Sequence, residues 1–139
     1  LMGELSEKSS TAIMLITHDL GVVAGLCDKV LVMYAGEVME TADVEPLFDD
    51  PAHPYTQGLL KSVPRLDREH SGILSAIPGN PPDLVDLPKG CPFRARCAHA
   101  FDKCIEHPDL ASAGDGRHKR CWLDEMPPLE DVSAKEGHA

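Results

Sequence analysis

Five apolar residues, Ala12-Ile13-Met14-Leu15-Ile16, run without polar alternation. That pattern predicts a strand over 12–17 buried on both faces, as in a parallel sheet covered by helices. Lys29-Val30-Leu31-Val32-Met33-Tyr34 repeats it with β-branched residues and predicts a second buried strand. Between them, Leu20, Val23, Ala24 and Cys27 recur at helical spacing, and Asp19 stands where it can cap a short helix over 20–27. Cys27 on that face reads as a small core hydrophobe. Ala35-Gly36-Glu37 makes a tight turn, after which 37–41 alternates as a strand, with Val38 and Glu40 on one face and Met39 on the other.

The same pattern extends outward in both directions. Leu1, Met2 and Leu5 share one face of a helix over 1–8. No capping residue precedes it, so the helix is expected to start ahead of Leu1. Asp43 can cap a helical turn through Leu47-Phe48. Pro54 suits the first turn of a helix reaching Val63, with Leu59, Leu60 and Val63 inward. Tyr55 is expected to pack that helix back onto the sheet, and Pro64 ends it.

From residue 64 the periodicity fades. Residues 64–90, with Ile77-Pro78-Gly79-Asn80-Pro81-Pro82, form a proline-rich connector that should be extended and irregular. Residues 91–123 carry four cysteines, and 124–139 is an acidic tail expected to fray. The predicted class is α/β, with residues 1–63 as the sheet-bearing unit. One buried strand, a helix, a strand and a hairpin cannot close a parallel sheet alone. Their neighbours must come from elsewhere, and self-association is expected.

Charge narrows the function classes. The net charge is -10, which argues against a basic footprint for nucleic acid. The acidity is uneven: residues 1–45 carry eight acids and two bases, whereas 84–123 carry five acids and seven bases. No stretch approaches the roughly 18 apolar residues of a membrane span. Nothing at the start resembles a signal peptide, so a reducing compartment is expected, where disulfides are rare.

The candidate chemistry begins at His18. It follows a predicted strand end, the place where open α/β sheets bind ligands. Such a histidine either hydrogen-bonds locally or presents a near-neutral imidazole to a phosphate or a water. The cysteines Cys91, Cys97, Cys104 and Cys121 are spaced C-x5-C-x6-C-x16-C. That is looser than the usual zinc pair and unlike the ferredoxin spacings. A segment this short needs a staple, and thiolates around a metal would supply one. Arg94, Arg96, Lys103, Lys119 and Arg120 could offset the charge of such a centre. His99, His107 and His118 read as solvated surface, and Asp49-Asp50 as turn chemistry.

Several of these stretches resemble one family. Leu15-Ile16-Thr17-His18-Asp19-Leu20 is similar to the switch-histidine motif of ABC-transporter ATPases, and Asp28 to Val38 to the strand pair that trails it. His53-Pro54-Tyr55-Thr56 resembles the tetrapeptide of the oligopeptide/dipeptide importer branch. Ile77 to Pro82 and Gly90-Cys91-Pro92-Phe93 resemble its C-terminal extension. The resemblance covers about residues 1–123. It implies the C-terminal remnant of a P-loop nucleotide-binding domain, plus an irregular cysteine-containing extension. The parent would be the ATP-binding subunit of a peptide importer, using ATP and magnesium at the cytoplasmic face of the inner membrane. Its partners would be a second ATP-binding subunit in a head-to-tail dimer, two membrane-spanning permease subunits and, indirectly, a peptide-binding receptor. His18 takes the γ-phosphate role by this resemblance. Cys91, Cys97, Cys104 and Cys121 take that of ligands to a 4Fe-4S cluster, with zinc, free thiols or disulfides as alternatives. The sequence has no G-x-x-x-x-G-K-[ST], no Leu-Ser-Gly-Gly-Gln-like signature and no apolar strand ending in Asp-Glu. The chain by itself is therefore expected not to turn over ATP. A freestanding metal-binding or regulatory interaction module is the alternative reading.

Overall fold

The computed structural model describes residues 11–63 and 76–127. The expected helix over 1–8, the connector from 64 to 75 and the tail from 128 lie outside the described residues. The element order is α1 (Leu20–Leu26), β1 (Lys29–Tyr34), β2 (Glu37–Asp43), α2 (Val44–Asp49), α3 (Pro54–Lys61), β3 (Ala111–Gly114) and β4 (Arg117–Lys119). Two short 3-10 turns, Arg94–Arg96 and Asp102–Ile105, precede the last hairpin.

Local chemistry explains most of these boundaries. The Asp19 carboxylate accepts from the N–H groups of Gly21 and Val22, capping α1. β1 and β2 join through a two-residue turn in which Ala35 and Gly36 have φ of 52° and 81°. Left-handed values at both central residues match the twist of a hairpin. α2 begins after Asp43 without a side-chain cap. The Asp43 carboxylate instead lies 3.7 Å from the Lys29 ammonium, an exposed pair worth little. Pro54 opens α3, which stops at Lys61, two residues before the expected end.

The sheet differs from the expectation. Its order is β1-β2-β4-β3, and every pairing is antiparallel. The run 12–17 is not a buried strand: no described strand pairs with it, and Met14 and Ile16 are 89% and 91% exposed. Such a run becomes a strand buried on both faces only where neighbouring strands and helices cover it, and among the described residues no strand pairs with it. β1 is also buried on one face only. Val30, Val32 and Tyr34 point inward, while Leu31 and Met33 remain exposed.

The alternation expected for 37–41 breaks at a bulge. The register shifts between Val32 and Met33, so that Val32 faces Glu40 and Met33 faces Val38. Met39 is the extra residue, and it and Glu40 are both fully buried.

The cysteine-bearing stretch is less irregular than expected. It holds the hairpin β3–β4, and β4 pairs with β2 through Glu40–Lys119 and Thr41–His118. Residues from 1–63 and from 91–123 thus share one sheet. The turn of that hairpin is Asp115-Gly116, with φ of 50° and 73°. An Asp-Gly pair is a strong hairpin signal, and it was the available cue.

Two apolar clusters fill the covered face. Val23, Val30, Val32, Ala42 and Leu47 form one, with Cys27 packed against it as expected. Tyr34, Met39, Cys91, Phe93 and Cys104 form the other. Tyr55 joins the two. Its ring lies 4.7 Å from Tyr34 and 5.2 Å from Phe93, so it ties α3 to the sheet and to the cysteine region. Arg96 secures residues 77–78 by donating to the carbonyls of Ile77 and Pro78 and to the Tyr34 hydroxyl. Among the described residues no helix is long and apolar enough to cross a membrane.

Candidate functional site

Glu40 anchors the best-defined polar cluster. The bulge turns its carboxylate into the interior, where it accepts from the Ala52 N–H at 2.6 Å and the His53 N–H at 3.0 Å. Burial raises its pKa above the ordinary carboxylate value. The buried Thr56 hydroxyl, those two N–H groups and the Arg117 charge act the other way. The Thr56 hydroxyl lies close without closing a well-formed hydrogen bond.

His53 follows directly, 1% exposed. Its Nδ1 accepts from the Tyr55 N–H at 3.0 Å and so caps α3. The proton therefore lies on Nε2, which donates to the Arg120 carbonyl at 3.1 Å. This gives the His53-Pro54-Tyr55-Thr56 stretch a physical meaning. The histidine caps the helix, the proline starts it, the tyrosine packs it and the threonine lies against Glu40. The sequence placed Pro54 and Tyr55 in these roles; it offered no period or cap signal for a histidine cap.

Burial pushes His53 down to about 4 from an ordinary 6.5, opposed by its bond to Arg120. A histidine held neutral in the fold contributes stability that is complete above pH 6.5 and lost as pH falls through about 4. The loss from this residue amounts to about 3 kcal/mol. Glu40, with its raised pKa, contributes in the opposite sense: its term is complete below 4.5 and lost as pH rises through the folded value. Urea midpoints between pH 7 and pH 4 for the natural chain and for His53→Asn, which both carry the Glu40 contribution, isolate the histidine. The difference between the two should shrink steadily over that range. A constant difference would rule out the buried neutral imidazole.

The four cysteines expected to act together come from three stretches: 91–97, 102–105 and the residues after β4. Cys91 follows Gly90, Cys97 ends the first 3-10 turn, Cys104 lies in the second, and Cys121 follows β4. All four are free thiols and all line one recess, with His53, Phe93, Arg94, His99 and Trp122 beside them. The Cys91 N–H donates to the Cys104 carbonyl at 3.0 Å and so draws two of these stretches together. Burial raises the pKa of Cys91 and Cys121, and pushes Cys97 up to about 11. The neighbouring cysteines add to each of these shifts, so the four thiols share one electrostatic neighbourhood. Burial thus favours the protonated thiol at Cys91, Cys97 and Cys121, and a bound metal would have to displace those protons.

Among the described residues no three His, Cys, Asp or Glu side chains converge as they would on a single metal ion. The donor set still fits soft-metal chemistry, because four thiols around an apolar recess select zinc, copper(I) or iron–sulfur centres. The basic residues expected to balance such a centre are mostly engaged with carbonyls. Arg120 donates to Val38 and Pro108, Arg96 to Ile77 and Pro78, and Lys119 to Leu123 and Asp124. Lys103 stacks on the Trp122 ring at 4.0 Å, which leaves Arg94 to line the recess. Of the histidines expected at the surface, His107 pairs with Glu37 at 2.9 Å and His99 borders the recess.

His18 stands apart. It is exposed beside the Asp19 cap and is not among the recess-lining residues.

Residues 39–104 match the family model described as oligopeptide/dipeptide transporter, C-terminal region. The matched stretch contains the bulge, the His53 cap, the proline-rich connector and three of the four cysteines. That stretch, nearly half of the chain, belongs to the C-terminal region of the oligopeptide/dipeptide transporter family. The chain is 55% identical over 132 residues to the oligopeptide transport ATP-binding protein OppD of Salmonella typhimurium. It is 50% identical over 131 residues to AppD of Bacillus subtilis, an oligopeptide transport ATP-binding protein. It is 42% identical over 133 residues to the dipeptide transport ATP-binding protein DppD of Escherichia coli. These alignments cover 95%, 94% and 95% of the chain, but only 38%, 40% and 39% of the respective relatives.

Proposed function

We propose that this chain acts within the ATP-binding subunit that energises oligopeptide or dipeptide import, peripheral to the cytoplasmic face of the membrane. The similarity of nearly the whole chain to OppD and AppD carries this reading. ATP with its magnesium is the substrate of such a subunit. A second ATP-binding subunit and two permease subunits are its partners, with a peptide receptor supplying the cargo. Residues 11–63 would contribute the C-terminal part of the P-loop nucleotide-binding domain. His18 would place its imidazole against the γ-phosphate, consistent with its exposure ahead of the capped helix α1. The test is a chimera of Salmonella OppD carrying these residues in place of its own matching stretch. We expect oligopeptide uptake in cells lacking OppD, and loss of uptake and ATP turnover with His18→Ala. A folded chimera that transports nothing would overturn the assignment.

The cysteine-bearing region is proposed to hold a 4Fe-4S cluster through Cys91, Cys97, Cys104 and Cys121. What supports this reading is the donor chemistry: four thiols lining one recess suit a soft, thiolate-ligated centre. Bound iron would cross-link three stretches of a region with little core of its own. Purified without oxygen, the chain is expected to carry about four irons and four sulfides and to lose them in any Cys→Ser variant. Full zinc occupancy without iron would overturn it.

A further inference from the structure

We infer that His53 is a positioning residue for the cysteine centre: its Nε2–H holds the Arg120 carbonyl and so fixes the backbone that presents Cys121. This rests on the reading of the four cysteines as one centre. Cys91 and Cys104 are tied to each other through the backbone. Cys121 has no such tie to another cysteine; it hangs from the end of β4, a strand of three residues. On its far side Trp122 Nε1–H donates to the Glu106 carbonyl and Lys119 to the Leu123 carbonyl; on its strand side Arg120 holds it. The Arg120 N–H donates to the Met39 carbonyl at 2.8 Å, and its guanidinium reaches Val38 and Pro108. Its carbonyl, which forms the peptide bond to Cys121, accepts from His53.

His53 in turn has no freedom to turn away. Glu40 grips its N–H, and Tyr55 occupies its Nδ1. The chain of contacts runs from the bulge in β2, through the start of α3, to the last ligand of the centre. A side chain that orients a ligand without touching the metal commonly changes affinity 10–100-fold when removed. The His53 ring also borders the recess itself, so its loss would admit water there.

Two variants separate its two bonds. Asparagine can place an acceptor where Nδ1 lies, which keeps the helix cap and loses Arg120. Glutamine can place a donor where Nε2 lies, which keeps Arg120 and loses the cap. The full chain, reconstituted with iron and sulfide without oxygen, is challenged with a chelator. We expect His53→Gln to release iron at nearly the natural rate, and His53→Asn about tenfold faster or more. The metal-free reduced chain supplies a second measurement: alkylation of each cysteine followed by mass spectrometry. Cys121 should label several-fold faster in His53→Asn, with Cys91 unchanged, and His53→Gln should match the natural chain. If the natural chain holds no iron, the cluster fails, and the Cys121 labelling still decides the role of His53. Equal labelling of Cys121 in the natural chain and His53→Asn, or equal iron release, overturns the inference.

Discussion

Gly90→Ala should destabilise the chain by about 3 kcal/mol or more. Gly90 has φ of +85°, which costs any residue with a Cβ about 1–2 kcal/mol. The added carbon would also lie 2.4 Å from the Cys104 carbonyl oxygen and 2.6 Å from that of Ile105. Both obstacles are backbone, so no side chain can rotate aside. The 102–105 turn would have to move, breaking the hydrogen bond from the Cys91 N–H to the Cys104 carbonyl. The control is Gly36→Ala, which has a similar φ of +81° and no atom within 4 Å of the new carbon. It should show the conformational cost alone. Denaturant midpoints check the difference, and the near-ultraviolet signal of Trp122, the single tryptophan, checks its location. Equal losses at the two glycines would show that the close approach at Gly90 is absent in solution.

Glu40→Ala should cost about 3–5 kcal/mol. It removes a fully buried side chain and leaves the N–H groups of Ala52 and His53 without their acceptor. Each buried donor so stranded costs about 1–3 kcal/mol. Glu40→Gln keeps one carbonyl oxygen and should cost less, about 1–3 kcal/mol by the same reasoning. The order natural, Gln, Ala in denaturant midpoint is the expected result. Amide exchange at Ala52 and His53 should accelerate in the same order. An alanine variant as stable as the natural chain would mean that the carboxylate contributes nothing at this bulge. Losses on this scale matter because a whole domain is typically stable by only about 5–15 kcal/mol.

What could be read from the sequence was local. Asp19 before an apolar helical spacing gave α1 its cap, and Pro54 gave α3 its start. Ala35-Gly36 gave the first hairpin, and the four cysteines stood out against a chain with one other. Each of these signals acts within about one turn of helix or hairpin, so neighbouring residues suffice to carry it.

The tertiary structure decided the rest, because those outcomes depend on which distant segments meet. Whether Leu31 is covered, or Ile16 paired, depends on neighbours that the run of apolar residues cannot name. The bulge at Met39 turned Glu40 from the face of a strand into the interior, and pairing with β4 joined the cysteine region to the sheet. Only that pairing brings the Arg120 carbonyl to His53 and Cys121 to the recess. Composition and spacing settled that four thiols were present. The pairing of β4 with β2 decided where Cys121 lies, and the two 3-10 turns with the Cys91–Cys104 backbone bond decided where the other three meet it.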